Sequence, residues 1–208
     1  MLPKKTEKLI TMRVLIACEE SQEVCKSFRA RGHEAWSCDI QESSGGHPEW
    51  HLQIDALEAI EKWDWDMLIA HPPCTYLCVP GAHYLHKQAD RWGKMLEGKE
   101  FFLKLLNSNI PRICVENPVP HRYAGLPKYT QIIQPWQFGH ELSKRTCLWL
   151  KNLPPLKPTE IMENHGERYY RKDGSVSNSK WYAKATAKER SKTFKGIANA
   201  MAEQWGEL

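Results

Sequence analysis

The sequence predicts an α/β fold with a doubly wound, mostly parallel sheet. Two observations predict it. Short runs that are apolar at nearly every position, as strands covered on both faces are, alternate with segments of helical period. Turn residues, or residues capable of chemistry, follow directly after several of those runs.

Arg13-Val14-Leu15-Ile16-Ala17 is the first expected strand. Residues 21–31 follow as an amphipathic helix, with Val24, Cys25 and Phe28 on one face and Gly32 as its C-cap. Glu34-Ala35-Trp36-Ser37-Cys38 is a short second strand ending in Asp39, and Ser43-Ser44-Gly45-Gly46 a loop. A short helix is expected over 54–62, before the strand Asp66-Met67-Leu68-Ile69-Ala70. Residues 91–106 carry the strongest helical stripe, through Met95, Leu96, Phe102, Leu103 and Leu106. Ile113-Cys114-Val115 is the next strand, followed by candidates at 131–133 and 146–150. Pro154, Pro155 and Pro158 then break the chain, residues 160–180 read as irregular and polar, and 195–205 form a closing helix with Ile197, Ala200, Met201 and Trp205 inward.

At 208 residues the chain is long enough to bury a core without disulfide or metal staples. Hydrophobic content of 41% and charged content of 26% are those of an ordinary globular protein. No run approaches the roughly 18 apolar residues that span a bilayer. Residues 1–11 are polar and lysine-bearing, so a frayed terminus is expected there and not a secretory signal. The cysteines number 7, an odd count, and several lie inside strand-like runs, which points to reduced thiols in the cytoplasm. The 9 tryptophans suit core packing first and base stacking second. Charge is uneven: residues 140–195 hold 13 Lys and Arg against 6 Asp and Glu, a basic flank suited to a polyanion.

The chemistry gathers after two strands. Cys74 follows His71-Pro72-Pro73 at the carboxyl end of one buried run, and Glu116 stands at the end of another, before Asn117-Pro118. Carboxyl edges are where open α/β sheets bind ligands. A thiol and a carboxylic acid facing one crevice suit covalent attack on a ring that is protonated as it is attacked. A thiolate at Cys74 would be favoured by neighbouring positive charge. The first strand–helix turn, Ala17-Cys18-Glu19-Glu20-Ser21, lies where a nucleotide would sit; Asp39 is placed to accept from ribose hydroxyls and Asp55 from an exocyclic amine. Cys74, Cys78, His83 and His86 form C-x3-C-x4-H-x2-H, but the central gap is far shorter than in structural zinc sites, and no metal is assigned.

Pro72-Pro73-Cys74, Glu116-Asn117-Pro118 and Lys144-Arg145-Thr146, in this order, resemble the motifs of the C5-cytosine DNA methyltransferases, and Gly196-Ile197-Ala198-Asn199-Ala200 is similar to the family's last motif. The stretch from Gln134-Pro135-Trp136 through Leu148-Trp149-Leu150 is most similar to the short phage-type members. The resemblance implies a Rossmann-like fold that uses S-adenosylmethionine, with a reduced target-recognition insertion. It implies residues 12–150 as the catalytic and cofactor core, 151–190 as a small basic recognition insertion, and 191–208 as a helix packed on the core.

By the same resemblance Cys74 adds to C6 of cytosine, Glu116 bonds N3 and N4 and protonates the ring, and Arg145 contacts O2 or the backbone. The cofactor falls to Ala17, Cys18, Glu19, Ser21, Asp39, Ile40, Asp55, Pro72 and Asn199. DNA falls to Pro73, Thr75, Asn117, Pro118, Lys144, Arg171 and Lys172. Phosphate holding and base stacking are expected of the segment with Arg168, Tyr169, Tyr170, Trp181 and Tyr182. The chain differs from the family pattern in having Cys18-Glu19-Glu20 in place of a glycine-rich turn and Ala70-His71 in place of Gly-Gly.

Partners expected are DNA and no membrane, for a monomer or a chain whose partner supplies sequence specificity. Two other classes stay open: an enzyme of this scaffold acting on a nucleotide or RNA or transferring another group, and a catalytically silent relative that binds DNA or a partner.

Overall fold

The computed structural model describes residues 11–170, 174 and 176–208. Its centre is a seven-stranded sheet ordered β3-β2-β1-β4-β5-β7-β6. Strands β1 (Arg13–Ala17), β2 (Glu34–Cys38), β3 (His51–Leu52), β4 (Met67–Ala70) and β5 (Arg112–Pro118) pair in parallel. Strands β6 (Gln131–Ile133) and β7 (Thr146–Lys151) close one side; β7 runs antiparallel between β5 and β6. The five parallel strands follow the order 3-2-1-4-5 of a doubly wound sheet, whose direction of winding reverses between β1 and β4. The fold class is thus the predicted one: α/β and Rossmann-like.

Side chains alternate across the sheet, and each face has its own helices. Val14, Ile16, Met67, Ile69 and Cys114 pack with α1 (Glu23–Arg29) and α7 (Lys195–Trp205). Leu15, Ala17, Leu68, Ala70, Ile113 and Val115 pack with α2 (Ala56–Lys62) and, beyond the four-residue α3 (Val79–Ala82), with α4 (Arg91–Leu106). The strands read as unbroken apolar runs because both faces are covered. Phe28 and Trp205 are fully buried between α1, α7 and the sheet, and the Trp205 indole N–H donates to the Pro154 carbonyl at 3.0 Å. Trp149 and Trp65 are likewise buried with their N–H groups bonded to Pro127 and Ala59 carbonyls, so these rings serve the core.

Helix α7 starts against the chain after β6. The Gly196 N–H donates to His140 Nε2 at 3.0 Å, and the Phe138 carbonyl fills the space a Cβ would need. Only glycine permits that approach.

The region expected to be irregular is ordered differently. Strands β8 (Arg168–Tyr170) and β9 (Val176–Ser179) pair antiparallel as a separate ribbon, followed by α5 (Lys180–Lys184) and α6 (Ala187–Ser191). Strands of three and four polar residues leave no periodic signal, whereas Thr186 and Glu189 do form a capping box at α6. Residues 1–10, expected to fray, lie outside the described residues, as do Arg171 and Lys172. Among the described residues no helix is long and apolar enough to cross a membrane.

Among the described residues, Trp205 and Phe28, two of the largest fully buried side chains, lie on the α1–α7 face. Replacing Phe28 by Ala should cost about 3–5 kcal/mol in unfolding free energy, read as a lower urea midpoint at unchanged m-value. A loss under about 1 kcal/mol would contradict this packing.

Candidate functional site

Parallel register assembles the site. Cys38, Ala17, Ala70 and Val115 lie side by side across β2, β1, β4 and β5. The next residue on each strand, Asp39, Cys18, His71 and Glu116, is therefore delivered to one edge. The pairing continues past the strands: His71 N–H donates to the Ala17 carbonyl at 2.9 Å, and Glu19 N–H to the Cys38 carbonyl at 3.1 Å.

Pro72 and Pro73 have no N–H to continue the ladder, so the chain leaves the sheet there. It turns at once: the N–H groups of Leu77 and Cys78 both donate to the Cys74 carbonyl, at 3.0 and 3.1 Å. Arg91, buried at the start of α4, donates to the Thr75 carbonyl at 3.2 Å and stacks its guanidinium 4.9 Å from the Tyr76 ring and 5.1 Å from that of Tyr84. The Leu77 carbonyl accepts from His121 N–H and the Val119 carbonyl from Val79 N–H, tying this loop to the chain after β5. Cys74 is thus held from both sides.

Cys74 and Glu116 line one cavity of about 550 Å3. It reaches from the turns after β1 and β2, through Glu20 and Gln41, across to Lys144, and is bounded by Lys188 and Arg190 of α6. The basic segment therefore folds over the Cys74 opening, and Lys144 Nζ donates to the Arg190 carbonyl at 2.7 Å. The volume is in the range of small-molecule sites.

Glu116 is mostly buried, with His71 Nδ1 3.0 Å from its Oε2. Burial pushes its carboxyl up, but the His71 hydrogen bond and charge, with Lys144, hold it below the usual range. Cys74 is half-buried, and the Cys78 side chain is its foremost electrostatic neighbour. Cys78, burial and the Glu116 charge push its thiol up, against the Lys144 ammonium. Cys78 is held low by the Cys74 side chain, against burial, and by the Gly81 N–H and the Arg91 charge. Near Cys74 the Lys144 charge is outweighed by Cys78, burial and the Glu116 charge.

At the other end, the β1–α1 turn has Cys18 at φ 59° and Gln22 at φ 60°, left-handed conformations in a turn that lacks glycine. Glu19 turns inward: its carboxylate accepts from the N–H groups of Val24 and Cys25 at 2.7 and 3.2 Å and caps α1. Burial pushes Glu19 up, while His71 and those two N–H groups pull the other way. Asp39 accepts from Gln41 N–H at 2.9 Å, and Asp55 caps α2 through Leu57 N–H at 2.8 Å. Both carboxylates act on the partly buried Cys18 thiol, which desolvation first of all pushes up. Ile40 beside them is 73% exposed, an apolar face at the edge of the crevice. Ala17 and Ser21 are buried.

Pro72, Pro73, Thr75 and Pro118 line the cavity as expected of site residues, and so does Lys144. Arg145 does not: it is exposed and its charge acts on Cys147, because consecutive side chains of an extended segment point to opposite sides. Asn117 is fully buried on the face away from Glu116 for the same reason, its Nδ2 bonded to the Pro118 carbonyl. Asn199 is exposed on α7 and bonded to Ser27 of α1, apart from the cavity. The sequence reading missed His71 and Arg91. A histidine between a buried run and Pro-Pro was the available signal for the first; Arg91 at a helix start carried none. His83 lies over Tyr84 at 3.7 Å and His86 edge-on to Trp92 at 5.6 Å. Among the described residues no three His, Cys, Asp or Glu side chains are grouped to hold a metal ion.

The opposed directions in which Cys74 and Cys78 are pushed make a direct test possible. Replacing Cys78 by Ala removes the partner that keeps the proton on Cys74, so Cys74 should be alkylated by iodoacetamide several-fold faster at pH 8, measured on its own peptide by mass spectrometry. An unchanged or slower rate would show that Cys78 does not hold that proton.

No protein-family model matches the chain, and no curated protein matches it. Solved structures that it is similar to include a candidate DNA modification methyltransferase encoded within an E. coli prophage, at 12% identity and TM-score 0.49, over 73% of this chain and 52% of that one. Another is the methyltransferase EhMeth of Entamoeba histolytica, at 16% identity and TM-score 0.47, over 76% and 58%. A third is a mutant DNMT2 of Spodoptera frugiperda, at 16% and 0.45, over 73% and 54%. The chain spans a little over half the length of the structures it matches.

Proposed function

We propose that this chain transfers a methyl group from S-adenosylmethionine to C5 of cytosine in DNA through a covalent bond between Cys74 and C6. The observation that carries this reading is that Cys74 and Glu116, which the motifs pair, line one cavity at the carboxyl edge of the sheet.

The residues fit this cofactor and fit a phosphate-bearing one poorly. In dinucleotide sites the pyrophosphate takes the free N–H groups at the start of the first helix. Here Glu19 already occupies them. A nucleoside cofactor without phosphate needs no such donors and leaves Asp39 for the ribose hydroxyls, Asp55 for the exocyclic amine and Ile40 for the adenine face. Bound there, S-adenosylmethionine supplies an electrophilic methyl group.

Cytosine C5 is a weak nucleophile until C6 is substituted. Cys74 must first lose its proton to water in the cavity; its sulfur then bonds to C6, and the ring's electron pair moves toward C5 and N3. Glu116, lowered to the anion at rest, has to be protonated as it meets the ring, so that it donates to N3 and accepts from the N4 amine. Once C5 carries the methyl group, loss of the C5 proton lets the sulfur leave and restores the aromatic ring. A base stacked in duplex DNA hides this face, so the target must swing out into the cavity. The cations Lys144, Lys188 and Arg190 that line the cavity support this reading, as groups that would meet backbone phosphates.

A duplex carrying 5-fluorocytosine cannot lose a proton from C5 and should trap the wild-type protein, with S-adenosylmethionine, as a denaturant-stable adduct on Cys74. The Cys74→Ser variant should form none. Absence of the adduct with wild-type protein would overturn the proposal.

A further inference from the structure

We propose that His71 positions Glu116 and supplies the proton that Glu116 passes to the pyrimidine ring, so that the two side chains work as one acid; this rests on the function proposed above. Ala70 and Val115 are paired in adjacent parallel strands, so the next residues, His71 and Glu116, lie beside each other on the same face. Their side chains are only 8% and 15% exposed, and Nδ1 lies 3.0 Å from Oε2. That bond engages one carboxylate oxygen. No described residue bonds to Oε1, which is left for substrate.

The second ring nitrogen is not spent on a structural bond. His71 Nε2 is buried and has no hydrogen-bond partner among the described residues. A buried polar atom without a partner is costly and uncommon in a settled core. The groups that face His71 come from each neighbouring element: Glu19 from the turn after β1, Glu116 from β5, Lys144 from the approach to β7, and Lys192 from the strap before α7. Cys74 lines the same cavity.

The relay balances as follows. It starts from the doubly protonated imidazole and the carboxylate. The Nδ1–H bond breaks as an O–H bond forms on Glu116, leaving neutral imidazole with its proton on Nε2. The carboxyl proton bonds to N3 as the Cys74 sulfur bonds to C6. When the sulfur leaves, N3 returns the proton to Glu116 and Glu116 returns it to Nδ1. This solves a difficulty of the site: at rest Glu116 is held as an anion, yet the chemistry needs its acid form.

Two measurements test this. Nitrogen-15 NMR of the histidine rings, with the His71 signals assigned by their loss in His71→Gln, should show a titration midpoint that moves by about one pH unit or more in Glu116→Gln. A midpoint indifferent to Glu116 would overturn the proposal, whatever the activity. Adduct formation with the 5-fluorocytosine duplex should slow as pH rises through the titration of the pair. In His71→Gln it should be about 10–100-fold slower at the wild-type optimum, with the pH limb displaced and the DNA concentration at half-maximal rate unchanged. Equal rates and an unmoved limb in a folded variant would also overturn it. Should His71→Gln fail to fold, Glu116→Gln and the NMR arm still decide. Failure of wild-type protein to form any adduct, with the NMR coupling present, would sink the functional reading and not the pairing.

Discussion

The in-register parallel pairing of β2, β1, β4 and β5 is the constraint on which the site depends. Because side chains alternate and neighbouring strands match residue for residue, the residues after Cys38, Ala17, Ala70 and Val115 must emerge together at one edge. A one-residue slip of β5 would turn Glu116 to the other face and bring Asn117 in its place. The cover on both faces forbids that slip, since it would also drive Cys114 and Val115 into each other's cores. Packing energy spread over two hydrophobic layers therefore fixes the separation of one thiol and one carboxylate.

The turn after β1 shows what kind of ligand the crevice can take. A helix N-terminus attracts an anion, and here the protein supplies its own in Glu19. The turn reaches that geometry without glycine, through Cys18 and Gln22 in left-handed conformations, and the buried Gln22 side chain is bonded to Ser37 and to the backbone of His47. Those bonds, together with the cap, offset the strain of the turn. The result is an edge with its phosphate-binding donors spent and its carboxylates, Asp39 and Asp55, kept at the strand and helix ends. Across the crevice, Lys144 and α6 bring positive charge to the opening.

Much of this was legible in the sequence. Every strand of the main sheet longer than two residues was legible, β1, β4 and the core of β5 as apolar runs because burial on both faces removes polar alternation, and the helices 91–106 and 195–205 were visible because one face of each is apolar. The edge placement of Cys74 and Glu116 followed from those strands. What was hidden depended on side-chain direction or distant contacts. Lys144 and Arg145 are adjacent and both basic, and only the path into β7 decides which one faces the cavity. Asn199 lies in a motif-like stretch, yet the turn of α7 sends it to Ser27. Arg91 acts on a loop through rings and a carbonyl that no spacing rule connects. The ribbon of β8 and β9 is too short and too polar to announce itself.

The central claim is that one sulfur and one carboxyl group act together on a cytosine within DNA. Nucleoside mass spectrometry after incubation with S-adenosylmethionine and, in turn, duplex DNA, RNA or free cytidine nucleotides tests it most directly. The expected result is 5-methyldeoxycytidine from DNA alone, lost with Glu116→Gln. Product from RNA or nucleotides in place of DNA, a different mass added to the base, or methylation that survives the loss of Glu116 would contradict it.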